Sequence, residues 1–100
     1  MKNYLQADAN LIRSCLPENV SVPDDADNLF LLYAVLLRAK GADVEIDDVH
    51  DAWSAWMSQK DSSHDSIRPF RELDPATQSE DVPFWKAIRT AAKGSRPPTP

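Results

Sequence analysis

The 100-residue sequence predicts an all-α fold, a compact domain of about four helices with a short irregular segment at residues 58–74. Apolar residues recur at helical spacing in four segments, and no segment alternates with the period of two that is typical of strands. Only two glycines are present, too few for a fold rich in tight hairpins. We expect residues 1–94 to form a single helical domain and residues 95–100 (SRPPTP) to be a disordered tail.

The first helix is predicted from an amphipathic segment near the N-terminus. Its apolar residues follow one another at i, i+4, i+7 and i+11: Leu5, Ala9, Ile12 and Leu16. Pro17 ends the helix, because proline lacks a backbone N–H and its ring clashes with the preceding turn. The following connection is rich in proline and aspartate, and we expect Asp25 or Asp27 to cap the next helix.

The second helix, about residues 27–40, is predicted from the apolar run LFLLYAVLL at residues 29–37. Gly41 follows directly, which is typical of a helix end. A helix that is apolar around most of its circumference must be surrounded by protein. Two arrangements satisfy this requirement: a central position in the domain, or partial burial in a homodimer interface, because three short neighbours need not cover every face.

The third helix, about residues 47–57, places Val49, Trp53 and Trp56 on one face toward the core. The polar run SQKDSSHDS that follows indicates an exposed loop. From Ile67 the chain turns inward again with Phe70.

The C-terminal third begins with Asp74 as a helix cap, Pro75 in the first helical position and Gln78 as capping-box partner. We expect a single turn there and a new helix from about Asp81, because Pro83 is tolerated only in a first turn. That last helix ends at Gly94. The predicted core comprises Leu32, Leu36, Val49, Trp53, Trp56, Phe70, Phe84 and Ile88.

Composition argues against several classes of partner. The formal net charge of −5 disfavours a nucleic-acid-binding protein, which needs clustered Lys and Arg. The longest apolar run is far shorter than the roughly 20 residues of a membrane span, and the N-terminus lacks an apolar signal segment. Cys15 is the sole cysteine, so no disulfide forms within the chain. We therefore expect a cytoplasmic protein with no nucleic-acid or membrane partner, and little room for a cofactor-sized cavity.

His50 and His64 are the candidate metal ligands of the sequence, with Asp47, Asp51, Asp61 and Asp65 nearby. They lie fourteen residues apart, without the spacing of a zinc motif and without a nucleophile or glycine-rich oxyanion loop. We therefore predict no metal, no cofactor and no enzymatic activity. The two histidines either bond to each other's segment and hold the domain closed, or line a ligand groove together with the tryptophans.

Five basic residues form the only candidate surface for an anion or an acidic partner. Three lie on one face of the last helix and two in the segment before it: Lys86, Arg89 and Lys93, with Arg68 and Arg71. A solvated helix face and a partner-binding face both explain them.

The stretches VHDAWSAWM, HDSIRPFRELD and SEDVPF, within residues 46–90, resemble the ryanodine-receptor repeat. The matching positions are His50, Trp53, His64, Ile67, Pro69, Phe70 and Leu73. The Gly-Trp-Tyr-Gly segment of that repeat is missing, and Asp65 stands where the repeat has proline. This resemblance implies an interaction or small-ligand module rather than a catalyst.

The chain as a whole, including NYLQADANLIRSCLP and LYAVLLRAKG, is similar to small uncharacterised proteins of bacteriophages that infect mycobacteria and related bacteria. That resemblance implies expression in the cytoplasm of a bacterial host and binding to a host or phage protein.

Together these features predict a non-enzymatic, phage-type accessory protein that acts as a protein-interaction module, with a homodimer through residues 29–37 as one arrangement. The alternative is a module for a small nucleotide-like anion. In that case Arg68, Arg71 and Arg89 would meet a phosphate beside Trp53 or Trp85.

Overall fold

Helices account for most of the chain in the computed structural model, which describes residues 3–94. The α-helices are α1 (Tyr4–Ser14), α2 (Asp27–Lys40), α3 (Ile46–Lys60), α4 (Pro75–Glu80) and α5 (Val82–Gly94). Two short 3-10 helices span Gly41–Asp43 and Phe70–Glu72. No β-strand occurs among residues 3–94, so the all-α prediction is confirmed. The predicted disordered tail, residues 95–100, lies outside the described residues.

The start of α2 differs from the expected aspartate cap. Ala26 occupies the cap position and makes no side-chain bond. Asp25 adopts a left-handed backbone conformation with φ 61°, and its side chain points outward toward Lys60. Asp27 instead pairs with Arg13 of α1 at 3.2 Å. The aspartates are therefore used to turn the chain and to tie α2 to α1, and the predicted cap is wrong.

The third helix is longer than predicted, which shortens the irregular segment. α3 begins one residue earlier because Glu45 and Asp48 form a capping box. It continues through residues 58–60, where Lys60 lies over the ring of Trp56 at 4.3 Å from the ring centroid. The predicted irregular segment 58–74 therefore begins only at Asp61, and it contains the 3-10 turn at Phe70–Glu72.

The C-terminal helices begin largely as expected. Asp74 caps α4 by accepting a hydrogen bond from the Thr77 N–H at 2.8 Å. Gln78 does not complete a capping box, because its side-chain amide donates to the Phe70 carbonyl at 3.1 Å. It thereby ties α4 to the preceding 3-10 turn.

The core is centred on α2, which packs against α1, α3 and α5. Its largest fully buried side chains are Tyr33, Phe30, Ile12, Leu29, Ile88, His50 and Val49. Of the predicted core residues, Val49, Trp56 and Ile88 are buried. The other five are only partly buried: Leu32, Leu36, Trp53, Phe70 and Phe84. The core thus lies on one side of α2, and its opposite side stays partly open.

Candidate functional site

His50 joins three separate parts of the chain. It lies on α3 with 2% of its surface exposed. Its Nδ1 is 3.0 Å from a carboxylate oxygen of Asp81, immediately before α5. Its Nε2 is 3.0 Å from the Ser66 carbonyl and 2.9 Å from the Arg68 carbonyl. The imidazole therefore fastens α3 to the start of α5 and to the irregular segment.

The partners of His50 restrict where the protons of this pair lie. The carbonyls of Ser66 and Arg68 can only accept, so Nε2 carries hydrogen and donates, and a further proton lies between Nδ1 and the Asp81 carboxyl. Burial raises the pKa of the Asp81 carboxyl above its ordinary value, and His50 partly offsets that rise. Both ring nitrogens are bonded within the chain, and the pair acts as a structural clamp.

An aromatic wall extends from this clamp to His64. Trp53 stacks on His50 with ring centroids 5.4 Å apart, and His64 meets Trp53 edge-on at 5.2 Å. The Nδ1 atom of His64 accepts a hydrogen bond from the Ser66 N–H at 3.1 Å. Because an accepting nitrogen carries no hydrogen, His64 is neutral in this arrangement.

A cleft of about 630 Å³ opens in front of these residues. It lies between the loop at residues 19–23, α3 and the α4–α5 junction. Because a loop and helix ends form its walls, one modest core leaves room for it. The expectation of little cavity space is therefore wrong. Apolar and aromatic lining residues include Leu29, Tyr33, Trp53 and Phe84. Polar ones include His50, His64, Thr77, Glu80 and Asp81.

Lysine and arginine are missing from the described residues that line the cleft. Glu80 and Asp81 contribute two carboxylates, and burial raises the pKa of the Tyr33 phenol, which stays protonated. The cleft is therefore aromatic and acidic.

The predicted basic site is divided in the structure. Arg68 and Arg71 line a separate hollow of about 620 Å³ together with three acidic residues: Asp47, Asp51 and Glu72. The Arg68 side chain also donates to the Asp65 carbonyl at 3.0 Å. The three basic residues of α5 do not line this hollow. The carboxylates outnumber the guanidinium groups there, which disfavours an anion.

On α5, Lys86 and Lys93 are exposed, whereas Arg89 lies over the ring of Trp85 with 5.0 Å to the centroid. The indole N–H of Trp85 in turn donates to the Val44 carbonyl at 2.8 Å. Trp85 therefore ties α5 to the connection between α2 and α3, and Arg89 covers its ring.

The side of α2 that faces away from the core is also apolar. Val35 is 49% exposed, and Leu31, Leu32 and Leu36 are partly exposed. A groove of about 570 Å³ runs beside this face, with Ala55 and Trp56 of α3 on its other wall. We call Asn28, Leu31, Leu32, Val35 and Ala39 the outer face of α2. Their spacing of three to four residues puts them on one side of the helix.

Among residues 3–94, no three His, Cys, Asp or Glu side chains are grouped so that they could hold a metal ion. None of the described helices has the length and apolar character needed to cross a membrane.

A family model described as "Domain of unknown function (DUF7701)" matches residues 3–93. The chain belongs to the DUF7701 family. The prediction of an uncharacterised family is thereby confirmed, and the match covers all the helices described above except the last residue of α5. No curated protein and no solved structure is significantly similar to the chain.

Proposed function

We propose that this DUF7701 protein is a non-enzymatic protein-interaction module that binds through the outer face of α2, with a second copy of the chain as the partner. The observation that supports this proposal is the exposure of Val35 in the middle of a helix whose opposite side forms the core. An apolar stripe on both sides of one helix is typical of a helix with partners on both sides.

The charges at the two ends of α2 favour a second copy in antiparallel orientation. Asp25 and Asp27 lie at its N-terminal end, with side chains 88% and 83% exposed. Arg38 and Lys40 lie at its C-terminal end, also exposed, and pair with Asp8 and Asp48. All four end residues thus have ion-pair partners in their own chain. In a two-fold pair, the acidic end of each helix would meet the basic end of the other by exchange of these pairs, and the apolar residues would meet at the centre.

The size of this face indicates a weak dimer. A helix of 14 residues is about 21 Å long, so two such stripes bury less than the roughly 800 Å² per partner of a standard interface. The groove beside Trp56 enlarges the contact. We expect dimer formation that depends on protein concentration.

The alternative function, binding of a nucleotide-like anion, has less support. Arg68 and Arg71 share their hollow with three carboxylates, and Arg89 is engaged with Trp85. The protein-interaction proposal has three further parts that rest on the sequence resemblance alone. They are a phage origin, a location in the host cytoplasm and a further host or phage partner.

The proposal is tested by placing a charge at the centre of the outer face. Val35→Glu should abolish the dimer while leaving the helical circular-dichroism spectrum unchanged, because Val35 already contacts solvent. Thr90→Glu, on the exposed side of α5, is the matched control and should dimerise like the unmodified chain. Light scattering coupled to size-exclusion chromatography reads out the mass. Equal masses for the two variants over a range of concentrations would contradict the proposal.

A further inference from the structure

We propose that the cleft in front of His50 and Trp53 is a binding site for an organic cation, an alkylammonium or alkylguanidinium group with an apolar stem. Lysine and arginine side chains of a partner protein and free amines carry this chemistry. This site is separate from the outer face of α2 and from dimer formation, because the α2 residues that line the cleft, Leu29 and Tyr33, lie on the core side of the helix.

The charge of the cleft selects a cation. Two carboxylates, Glu80 and Asp81, are among its lining residues, which include no lysine or arginine in the described part of the chain. The His50–Asp81 pair holds one proton at Nε2 and one between Nδ1 and the carboxyl, so it has no net charge, and His64 is neutral because its Nδ1 accepts a hydrogen bond. One negative charge, that of Glu80, is therefore left without a counterion in the wall.

Asp81 offers a second acceptor. The residue is buried, with 8% of its surface exposed, and one of its carboxylate oxygens accepts from His50. The other oxygen accepts no hydrogen bond from residues 3–94 and is accessible to solvent, so a ligand in the cleft can donate to it. An ammonium or guanidinium group supplies several N–H donors and would bond Glu80 and Asp81 together.

The remaining walls suit the stem of such a ligand. Trp53 and Phe84, which are partly exposed, line the same cleft as the two carboxylates, with the buried ring of Tyr33 behind them. Aromatic rings attract cations and cover the methylene groups that carry them. A volume of about 630 Å³ falls within the usual range of small-ligand pockets. An anion would be repelled by Glu80, and a neutral apolar group would leave the charge of Glu80 without a counterion.

The test compares ligands of one shape that differ in charge. n-Butylguanidinium and n-butylammonium are titrated against the full chain, with n-butanol as the neutral ligand, and binding is followed by chemical shifts of the Trp53 and His64 side chains. We expect saturable binding of the cations at least about tenfold tighter than that of butanol. Equal affinities, or no saturable shift with any ligand, would overturn the proposal.

Two variants locate the site. Glu80→Gln removes the unmatched charge from an exposed side chain and should weaken cation binding at least about fivefold. Glu72→Gln, which removes an exposed charge outside the cleft, is the matched control and should bind as tightly as the unmodified chain. Equal weakening by both variants would show only a general charge effect and would overturn the assignment.

Two further comparisons complete the experiment. A short peptide with one central arginine, compared with free butylguanidinium, distinguishes the two sources: tighter binding of the peptide indicates a protein partner, and tighter binding of the free cation indicates a small amine. The Val35→Glu variant should bind the cation as tightly as the unmodified chain. Loss of dimer formation and loss of cation binding can therefore be observed independently.

Discussion

Replacement of His50 by alanine tests the assignment of the His50–Asp81 pair as a structural clamp. The imidazole is buried and has three acceptors within 3.0 Å, one of them a carboxylate that is itself buried. Without His50, the Asp81 carboxylate and the carbonyls of Ser66 and Arg68 lose their donor. Removal of one member of a buried ion pair costs about 3–5 kcal/mol in the free energy of unfolding.

That loss is large for a domain of this length, whose total stability is expected to be about 5–15 kcal/mol. It corresponds to a fall in melting temperature of at least about 12 °C for a domain near 100 residues. Urea denaturation followed by tryptophan fluorescence measures the change. His64→Ala is the matched control: this half-buried ring accepts one hydrogen bond, and its loss should cost only about 1 kcal/mol.

The double variant His50→Ala/Asp81→Ala separates the pair from the packing around it. If the cost of His50→Ala comes mainly from the unpaired carboxylate, the double variant should be less destabilised than the sum of the two single variants. Additive losses, or a His50→Ala cost no larger than that of His64→Ala, would refute the reasoning.

Three further predictions concern other positions. The Ser54 hydroxyl is buried and has no partner among residues 3–94, so Ser54→Ala should raise the free energy of unfolding by about 1 kcal/mol in a urea titration. The control is Ser58→Ala, because the Ser58 hydroxyl donates to the Ala55 carbonyl. Equal stabilities of the two variants would contradict this prediction. Gly41 has φ 57° and ψ −132°, so Gly41→Ala should cost about 1–3 kcal/mol in the same assay although a side chain has space there. The hydrogen bond from Thr77 lowers the pKa of Asp74, so its contribution to stability is present above the ordinary aspartate pKa of about 3.9 and is lost as the pH falls below it. Asp74→Asn, which still caps a helix, should therefore show a smaller fall in melting temperature between pH 7 and pH 3 than the unmodified chain. An equal fall would show that titration of Asp74 does not contribute to the loss of stability.

The sequence predicted those elements whose signals are local. The bounds of α2 follow from the apolar run and from Gly41, and the start of α4 follows from Asp74 and Pro75. The end of α3 was placed too early because Ser58, Gln59 and Lys60 have no apolar periodicity. The contact of Lys60 with Trp56, which accompanies the longer helix, is not visible as a pattern of hydrophobicity.

The orientation of α2 was not predictable in the same way. Because nearly all of its residues are apolar, periodicity could not show which side faces the core. The predicted core includes Leu32 and Leu36 but not Phe30 and Tyr33, which are among the largest buried side chains. The homodimer alternative arose from the same ambiguity.

The clamp and the cleft depend on contacts between distant residues. Asp81 lies 31 residues from His50, and sequence reasoning treated it only as a helix start. One available signal was the position of His50 on the apolar face of α3, since a buried histidine requires partners for both nitrogens. Spacing could not show that Arg68 and Arg71 lie apart from the three basic residues of α5, because their position depends on how the irregular segment returns to α3.

Sedimentation equilibrium of the unmodified chain at increasing concentration measures self-association without a variant or a ligand. We expect an average mass that rises from that of one 11.2 kDa chain toward twice that value. A mass that stays at one chain over the whole soluble range would contradict binding through the outer face of α2.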